Sequence, residues 1–308
     1  MASAGHDRGW LVQAKTPIPR GPILGLSQLS AARSGAMSIA HPRENNEYLL
    51  AGQVSELERL QLQSRVWEPS GRRLLEEIGY GGGGRALDVG CGVEGWLGVL
   101  SEWVGPDGEV TGTDNDEAML AAADRFANEE GLRNVGLAQD DLFASELEPH
   151  SFDLVHARYQ ICPLGRAHEQ METYMRLARR GGTIVLEDPD TGSWHFNPPA
   201  PALERLIELI EQAFLASGGD WKAGRNHLHL LGEFGIEGNV RAEVVALPPG
   251  HPYLRLPLQF ATSLEQRLLG VVSADELERL RNDGETELQE PGRWGTTFTL
   301  LQCWGRVR

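Results

Sequence analysis

The chain has 308 residues, 41% of them hydrophobic and 23% charged, which are ordinary proportions for a globular protein long enough to bury a large core. Its 44 acidic against 28 basic residues give a net charge of -16, which argues against a duplex nucleic-acid partner, since phosphates need a basic face. No apolar run approaches the roughly 20 residues that span a bilayer, and three widely spaced cysteines, Cys91, Cys162 and Cys303, fit free thiols in a reducing cytoplasm better than a disulfide framework.

Residues 1–45 read as an arm without helical period, broken by Pro17, Pro19, Gly21, Pro22 and Gly25. Arg8, Lys15, Arg20 and Arg33 against the early Asp7 give it a superficial likeness to a transit peptide, but the prolines interrupt the amphipathic helix such a peptide needs. Met37 is an alternative start. From Glu47 to Gly79 the pattern is helical, with Leu57, Leu60, Leu62, Val66 and Trp67, then a break at Pro69-Ser70-Gly71, then Leu74, Leu75 and Ile78.

A glycine linker, Gly81 to Gly84, leads into alternating units. Strands are expected at 86–90, 109–113, 135–138, 153–158 and 183–187, and helices at 95–104, 116–130 and 166–179. That alternation implies a parallel sheet with helices on both faces. A helix at 202–216 follows, then strands at 240–246 and 296–304. The roughly fifty residues between those two strands are too long for a hairpin loop. They read as an insertion, about 250–293, over the sheet edge where open α/β sheets bind ligands.

The chemistry concentrates at Asp88-Val89-Gly90-Cys91-Gly92-Val93-Glu94-Gly95, where a strand runs into a glycine turn and a helix. Glycines there permit positive φ and close approach of a ligand, and the helix start offers free N–H groups. The spelling is shared with dinucleotide-binding folds. The next strand ends at Asp114, where nucleotide folds place a carboxylate on a ribose.

With Asp88, the later units Gln139-Asp140-Asp141-Leu142, Ser151-Phe152-Asp153-Leu154-Val155 and Leu177 to Asp188 complete an ordered set of four. In this order and spacing they resemble the class I S-adenosylmethionine-dependent methyltransferases, notably the small-molecule group that includes quinone-biosynthesis and bacterial natural-product enzymes. The resemblance implies a Rossmann-like, seven-stranded, mostly parallel α/β sheet with helices on both faces and a helical substrate cap. It divides the chain into an arm (1–45), a helical lead-in or lid (46–80) and a methyltransferase domain (81–308).

It also implies roles. Asp88 orients the glycine loop or meets the cofactor's ammonium; Gly90, Cys91 and Gly92 line its methionine and ribose; Asp114 accepts from both ribose hydroxyls, the alternative being an N-cap of the next helix. Asn115 and Met119 sit near the adenine, Asp141 accepts from its amino group with Asp140 as the competing position, and Leu142 stacks nearby. Arg158 is placed near the cofactor's carboxylate or the substrate cleft, and Tyr48 and Gln63 in the lead-in are candidate contacts to the methionine portion. Glu94 stands where the family often has glycine, and is expected to point outward.

Methyl transfer needs a base only when the acceptor must lose a proton. Tyr159, just past the fourth strand, is the first candidate and His195 the second; His156, inside that strand, reads more readily as a packed core residue. The family's histidine-leucine pair after strand four is replaced by Gln160-Ile161-Cys162-Pro163-Leu164. Asn197-Pro198-Pro199-Ala200 imitates an amino-methylation signature at the wrong strand and without its aromatic. Asp188 and Asp190 lack the partner acid of a metal site, so no metal is expected.

The resemblance thus implies an enzyme that takes S-adenosylmethionine, releases S-adenosylhomocysteine and methylates O, N or C of a small acceptor. Surplus aromatics in the C-terminal half favour an aromatic or heteroaromatic secondary metabolite. A nicotinamide-dependent oxidoreductase and a non-catalytic cofactor-binding member are the rival readings. A cytoplasmic protein with no membrane or nucleic-acid partner is expected, with a homodimer left open.

Overall fold

Short strands buried on both faces, alternating with amphipathic helices, set the architecture. The computed structural model describes residues 54–79 and 81–308; the arm 1–45 and Tyr48 lie outside the described residues. The elements are α1 (Val54–Ile78), β1 (Arg85–Val89), α2 (Leu97–Val104), β2 (Glu109–Asp114), α3 (Glu117–Glu129), β3 (Val135–Gln139), β4 (Phe152–Arg158), α4 (Ile161–Leu164), α5 (Ala167–Leu177) and β5 (Ala178–Asp190). They continue as β6 (Phe196–Asn197), α6 (Pro201–Ala216), α7 (His227–Glu233), β7 (Gly238–Glu243), β8 (Ala246–Leu247), α8 (Leu256–Ser263), α9 (Glu265–Leu268), α10 (Ala274–Leu288), β9 (Trp294–Thr296) and β10 (Thr299–Arg306).

The main sheet has seven strands in the order β3-β2-β1-β4-β5-β10-β7. The first five are parallel, and β10 runs antiparallel to both β5 and β7. The expected mostly parallel sheet with an antiparallel C-terminal pair is therefore present. Strand order reverses between β1 and β4, which makes their C-terminal ends the natural ligand crevice. Thr299, the first residue of β10, pairs with Asp190 at the end of β5, so β10 starts at that same edge.

Local chemistry explains the element ends. Asp116 caps α3, its side chain accepting from Ala118 N at 2.7 Å. Ser273 caps α10 from the Glu276 N–H, with the S-x-x-E spelling of a capping box. Pro201 opens α6, where its missing N–H costs nothing.

Three expectations are corrected. First, α1 does not break at Pro69-Ser70-Gly71; Pro69 lies inside one continuous helix. Burial of Trp67 on one side of the proline and of Leu74 and Leu75 on the other holds both halves against the core. Gly71 is tight against Trp96, since a Cβ there would sit 2.9 Å from the indole.

Second, the strand expected at 240–246 ends at Glu243, and Ala246–Leu247 leaves it for a separate three-stranded sheet, β6-β9-β8. Third, β5 starts at Ala178 rather than 183, with a register irregularity opposite Phe152–Leu154 that absorbs the extra residues. The insertion is helical as expected: α8 and α10 pack on α6, and α1 packs on both α2 and α8.

Candidate functional site

Asp88 ends its work inside the protein. Its Oδ2 accepts from the Trp96 N–H at 2.7 Å, tying β1 to the start of α2, and its Oδ1 lies 2.7 Å from His156 Nδ1. His156 Nε2 is 3.0 Å from Glu187 Oε2, and the Gln302 amide donates to the other Glu187 oxygen. All four side chains are buried, on β1, β4, β5 and β10, so one polar row crosses four neighbouring strands. The Trp96 ring stacks on His156 at 3.8 Å between centroids and 13° between planes. Burial opposes the imidazolium, but Asp88 and then Glu187 outweigh it and raise the His156 pKa above 6.5. Asp88 thus ties the end of the glycine loop through Oδ2 and the neighbouring strand β4 through Oδ1.

The loop itself needs its glycines. Gly90, Gly92 and Gly95 all have positive φ. A Cβ on Gly95 would lie 2.4 Å from Asp88 Oδ2, and one on Gly90 would collide with Gln160. At Gly92 it would meet, among the described residues, only Leu60 Cδ1 at 4.0 Å, so within them this glycine borders open space rather than packed chain. Cys91 is buried against Gly112, and burial pushes its thiol well above 9.0, which makes it inert filler rather than a nucleophile.

Asp114, at the end of β2, meets this loop directly. Its Oδ2 accepts from Gly92 N at 3.0 Å and its Oδ1 from Asp116 N at 3.0 Å. The helix cap offered as its alternative role belongs to Asp116 instead. Each carboxylate oxygen keeps a further lone pair for a ligand. Burial raises the Asp114 pKa above 3.8, the two backbone N–H groups partly opposing it.

At the other side of the β2 end, Asn115 is exposed and its carbonyl accepts from the Gln139 side chain, while Met119 is buried beside Val93 and Ala122. Asp140 accepts from Glu146 N, and Asp141 caps the turn at Leu142 by accepting from Phe143 N at 2.9 Å. Asp141 is exposed and Asp140 half-buried. Each uses one oxygen locally, and neither is singled out by geometry.

Glu94 departs from expectation. It is buried, with Arg65 Nη2 at 4.0 Å, and burial raises its pKa above 4.5 against the opposing charge of Arg65. Arg158, on β4, donates Nη2 to Gly95 O at 3.3 Å and to Ser64 on α1, while its Nη1 is buried with no hydrogen-bond partner among the described residues. Gln63 accepts from Arg59 Nη1 at 2.5 Å and lies close to the Tyr159 hydroxyl without reaching hydrogen-bond geometry.

The three base candidates separate sharply. His156 is fully buried with both ring nitrogens committed to carboxylates, so it has no free lone pair and no route to a substrate proton. His195 is exposed and flanked by the buried Trp194 and Phe196, which turns its ring away from the core. Tyr159 remains at the crevice: it follows β4 with φ 55, an uncommon conformation for a bulky residue, and its N–H bonds Glu187 O at 2.8 Å. Burial pushes its phenol well above 10.0. His227 packs 3.1 Å from the buried Asp188, and His168 and His229 lie outside beside Glu233. Asp190 is paired with Arg225, and among the described residues no group of His, Cys, Asp and Glu forms a metal cluster.

Four side chains carry structural roles that sequence reasoning did not give them. Gln160 Nε2 reaches both Gly90 O and Arg158 O; Gln170, buried in α5, donates to Gln160 O and Gly165 O and accepts from the Tyr174 hydroxyl. Glu187 and Gln302 complete the buried row. A Glu and a Gln inside otherwise apolar strands were the available signal, since buried polar groups require partners.

Residues 81–233 match a family model described as a methyltransferase domain. A stretch of 149 residues is 35% identical to aklanonic acid methyltransferase DauC of Streptomyces sp. strain C5, covering 48% of this chain and 66% of that protein. Another of 148 residues is 32% identical to demethylmenaquinone methyltransferase of Staphylococcus aureus, covering 48% and 56%. The chain thus spans somewhat less than two thirds of the length of these curated relatives. Among solved structures, the YcgJ protein of Bacillus subtilis aligns over 78% of this chain and 100% of its own at TM-score 0.52 and 16% identity. A candidate methyltransferase of Bacillus halodurans aligns over the same shares at TM-score 0.53 and 17% identity, and both likenesses concern the fold.

Proposed function

We propose that this chain, which belongs to the class I S-adenosylmethionine-dependent methyltransferases, methylates a small, aromatic or heteroaromatic acceptor. The observation that carries the reading is the bond between Gly92 N and Asp114 Oδ2, which brings the glycine loop and the ribose-type acid to one point at the C-terminal ends of β1 and β2. The names of the relatives, acting on aklanonic acid and demethylmenaquinone, support a small-molecule acceptor.

The residues present fit the cofactor. Asp114 offers two oxygens to the ribose hydroxyls, Gly92 borders open space among the described residues, and Arg158 Nη1, unpartnered among them, suits a carboxylate. Met119, Asn115, Leu142 and one of Asp140 or Asp141 are assigned to the adenine end. Tyr48 and Gln63 are assigned to the methionine end, with α1 as the lid.

When bound, S-adenosylmethionine supplies an electrophilic methyl group on a sulfonium. An O, N or C atom of the acceptor forms the new bond to that methyl carbon as the carbon–sulfur bond breaks, its electron pair staying on sulfur in S-adenosylhomocysteine. Any proton on the acceptor atom leaves to a base or to water. The protein's part is positioning to about 3–3.5 Å and exclusion of water. Tyr159, with its phenol held protonated by burial, acts in this scheme as an orienting hydrogen-bond donor rather than a base. Incubation with methyl-labelled S-adenosylmethionine and a panel of phenolic and quinone acceptors tests the reading; absence of label transfer to every acceptor, with the cofactor still bound, favours a non-catalytic member.

A further inference from the structure

β7 is the last strand of the main sheet, so among the described residues no strand pairs with its outer edge, where alternate backbone N–H and C=O groups point outward. From Val240 to Ala246 exposure alternates strictly. Val240, Ala242, Val244 and Ala246 are exposed, and Arg241, Glu243 and Val245 between them are half-buried. An ordinary half-buried strand turns its polar row outward, and an unpaired edge is usually guarded by charge. Here the outward row is apolar. Of the seven large hydrophobic side chains exposed among the described residues, three gather at this edge: Val240 at 52%, Val244 at 44% and Leu228 of α7 at 40%. Leu228 joins the row at Gly238, where a Cβ would lie 2.8 Å from its Cδ1. One strand inward the same face is covered, since Cys303, opposite Val240 on β10, is buried.

The other face of β7 carries charge, and that charge is balanced. Arg241 bonds Glu77 of α1 at 2.7 Å and Glu243 at 2.8 Å, and Glu243 also accepts from Arg73 of α1 at 2.9 Å. Two arginines and two glutamates cancel on a chain whose net charge is -16, so two copies can approach at this edge without the repulsion of the whole. The segment Val240-Arg241-Ala242-Glu243-Val244 is also complementary to itself. Set antiparallel to a second copy about a two-fold axis at Ala242, it places Val240 opposite Val244 of the second copy, Ala242 opposite Ala242, and Arg241 opposite Glu243. Apolar side chains then meet on one face and opposite charges on the other, the pairings that stabilise neighbouring strands.

We propose that β7 is a dimer edge whose partner is a second copy of this chain, the two β7 strands antiparallel about Ala242 and the two seven-stranded sheets joined into one. Leu228, over Gly238, then lies beside Ala246 of the second copy and carries the apolar contact past the strands. The inference concerns assembly and stands apart from the methyltransferase reading.

The native cysteines Cys91, Cys162 and Cys303 are buried, which leaves introduced ones to report the register. Residues directly opposite on antiparallel strands have Cα atoms roughly 4.5–5.5 Å apart, within disulfide reach. Under oxidation by copper phenanthroline, Ala242→Cys should link to itself, Val240→Cys should stay unlinked, and Val240→Cys mixed with Val244→Cys should give linked pairs. Leu215→Cys, on α6 at a site 60% exposed, gauges random collision and should stay unlinked. Sedimentation velocity of the full chain at about 1–100 μM should show twice the chain mass at the upper end, and Val240→Lys, which sets a lysine of each copy against Val244, should raise the dimer dissociation constant at least about tenfold. If Val240→Lys fails to fold, the cysteine series decides alone. A monomer throughout that range, a dimer unmoved by Val240→Lys, or linking of Ala242→Cys no faster than that of Leu215→Cys would overturn the proposal.

Discussion

Asp88 and His156 meet at 2.7 Å inside the sheet, and through His156 the loop-orienting carboxylate is joined to Glu187, whose carbonyl in turn holds the Tyr159 N–H. The glycine loop and the turn at Tyr159 are thus both tied to one buried polar row. Removing the middle of that row leaves two carboxylates facing each other without a cation. His156→Ala should therefore cost about 3–5 kcal/mol in denaturant unfolding, the range for breaking a buried charge pair.

The same pair gives a pH signature. The folded pKa of His156 lies above its ordinary 6.5, so its contribution to stability is full below about 6.5 and is lost as pH rises through the folded value. Unfolding free energy measured from pH 6 upward should decline for wild type and show a smaller decline for His156→Gln. Equal slopes would remove the imidazolium from the account.

Gly95→Ala tests the loop. With φ 48 and a Cβ that would lie 2.4 Å from Asp88 Oδ2 and 2.6 Å from Cys91 O, the substitution must move either the loop or Asp88. A loss of about 1–3 kcal/mol in stability is expected, with weaker S-adenosylmethionine binding measured by calorimetry. Gly92→Ala, where the Cβ meets only Leu60 at 4.0 Å, should spare packing more while still weakening the ligand.

Arg59 and Glu56 form a buried pair in α1, with Arg59 also donating to Gln63. Arg59→Met leaves Glu56 buried without its cation and should destabilise the chain by about 3–5 kcal/mol in urea titration. Glu56→Gln with Arg59→Met, removing both charges, should recover part of that loss.

Much of this was legible in the residues. Alternating strand and helix periods located the five parallel strands within a few positions, and the glycine loop and Asp114 stood out because glycine conformations and strand-end carboxylates are local features. The helix through Pro69 was not legible, since only burial of Trp67, Leu74 and Leu75 outweighs the proline. Nor were Glu94 turning inward, the β6-β9-β8 sheet, or the row from Asp88 to Gln302. Those depend on which strands become neighbours, and β10 reaches Glu187 from 115 positions away in the chain. His195 illustrates the converse: its place after β5 was read correctly, but its direction is set by Trp194 and Phe196 on either side.

Asp114 also predicts a pH dependence of binding. In the proposed binding mode the ribose meets its carboxylate, and burial raises its pKa above 3.8, so affinity for S-adenosylhomocysteine should begin to fall at a higher pH than for an exposed aspartate as the solution is acidified. Asp114→Asn should flatten that profile while binding weakly throughout.

The central claim is that Asp114 and the Gly90–Gly92 loop hold S-adenosylmethionine, and calorimetric titration of wild type and Asp114→Ala with S-adenosylmethionine, S-adenosylhomocysteine and NADH tests it most directly. Binding of both sulfur ligands, weakened by more than about 1.5 kcal/mol in Asp114→Ala, with no binding of NADH, is the predicted result. Binding of NADH alone, or sulfur-ligand affinity unchanged by Asp114→Ala, would contradict it.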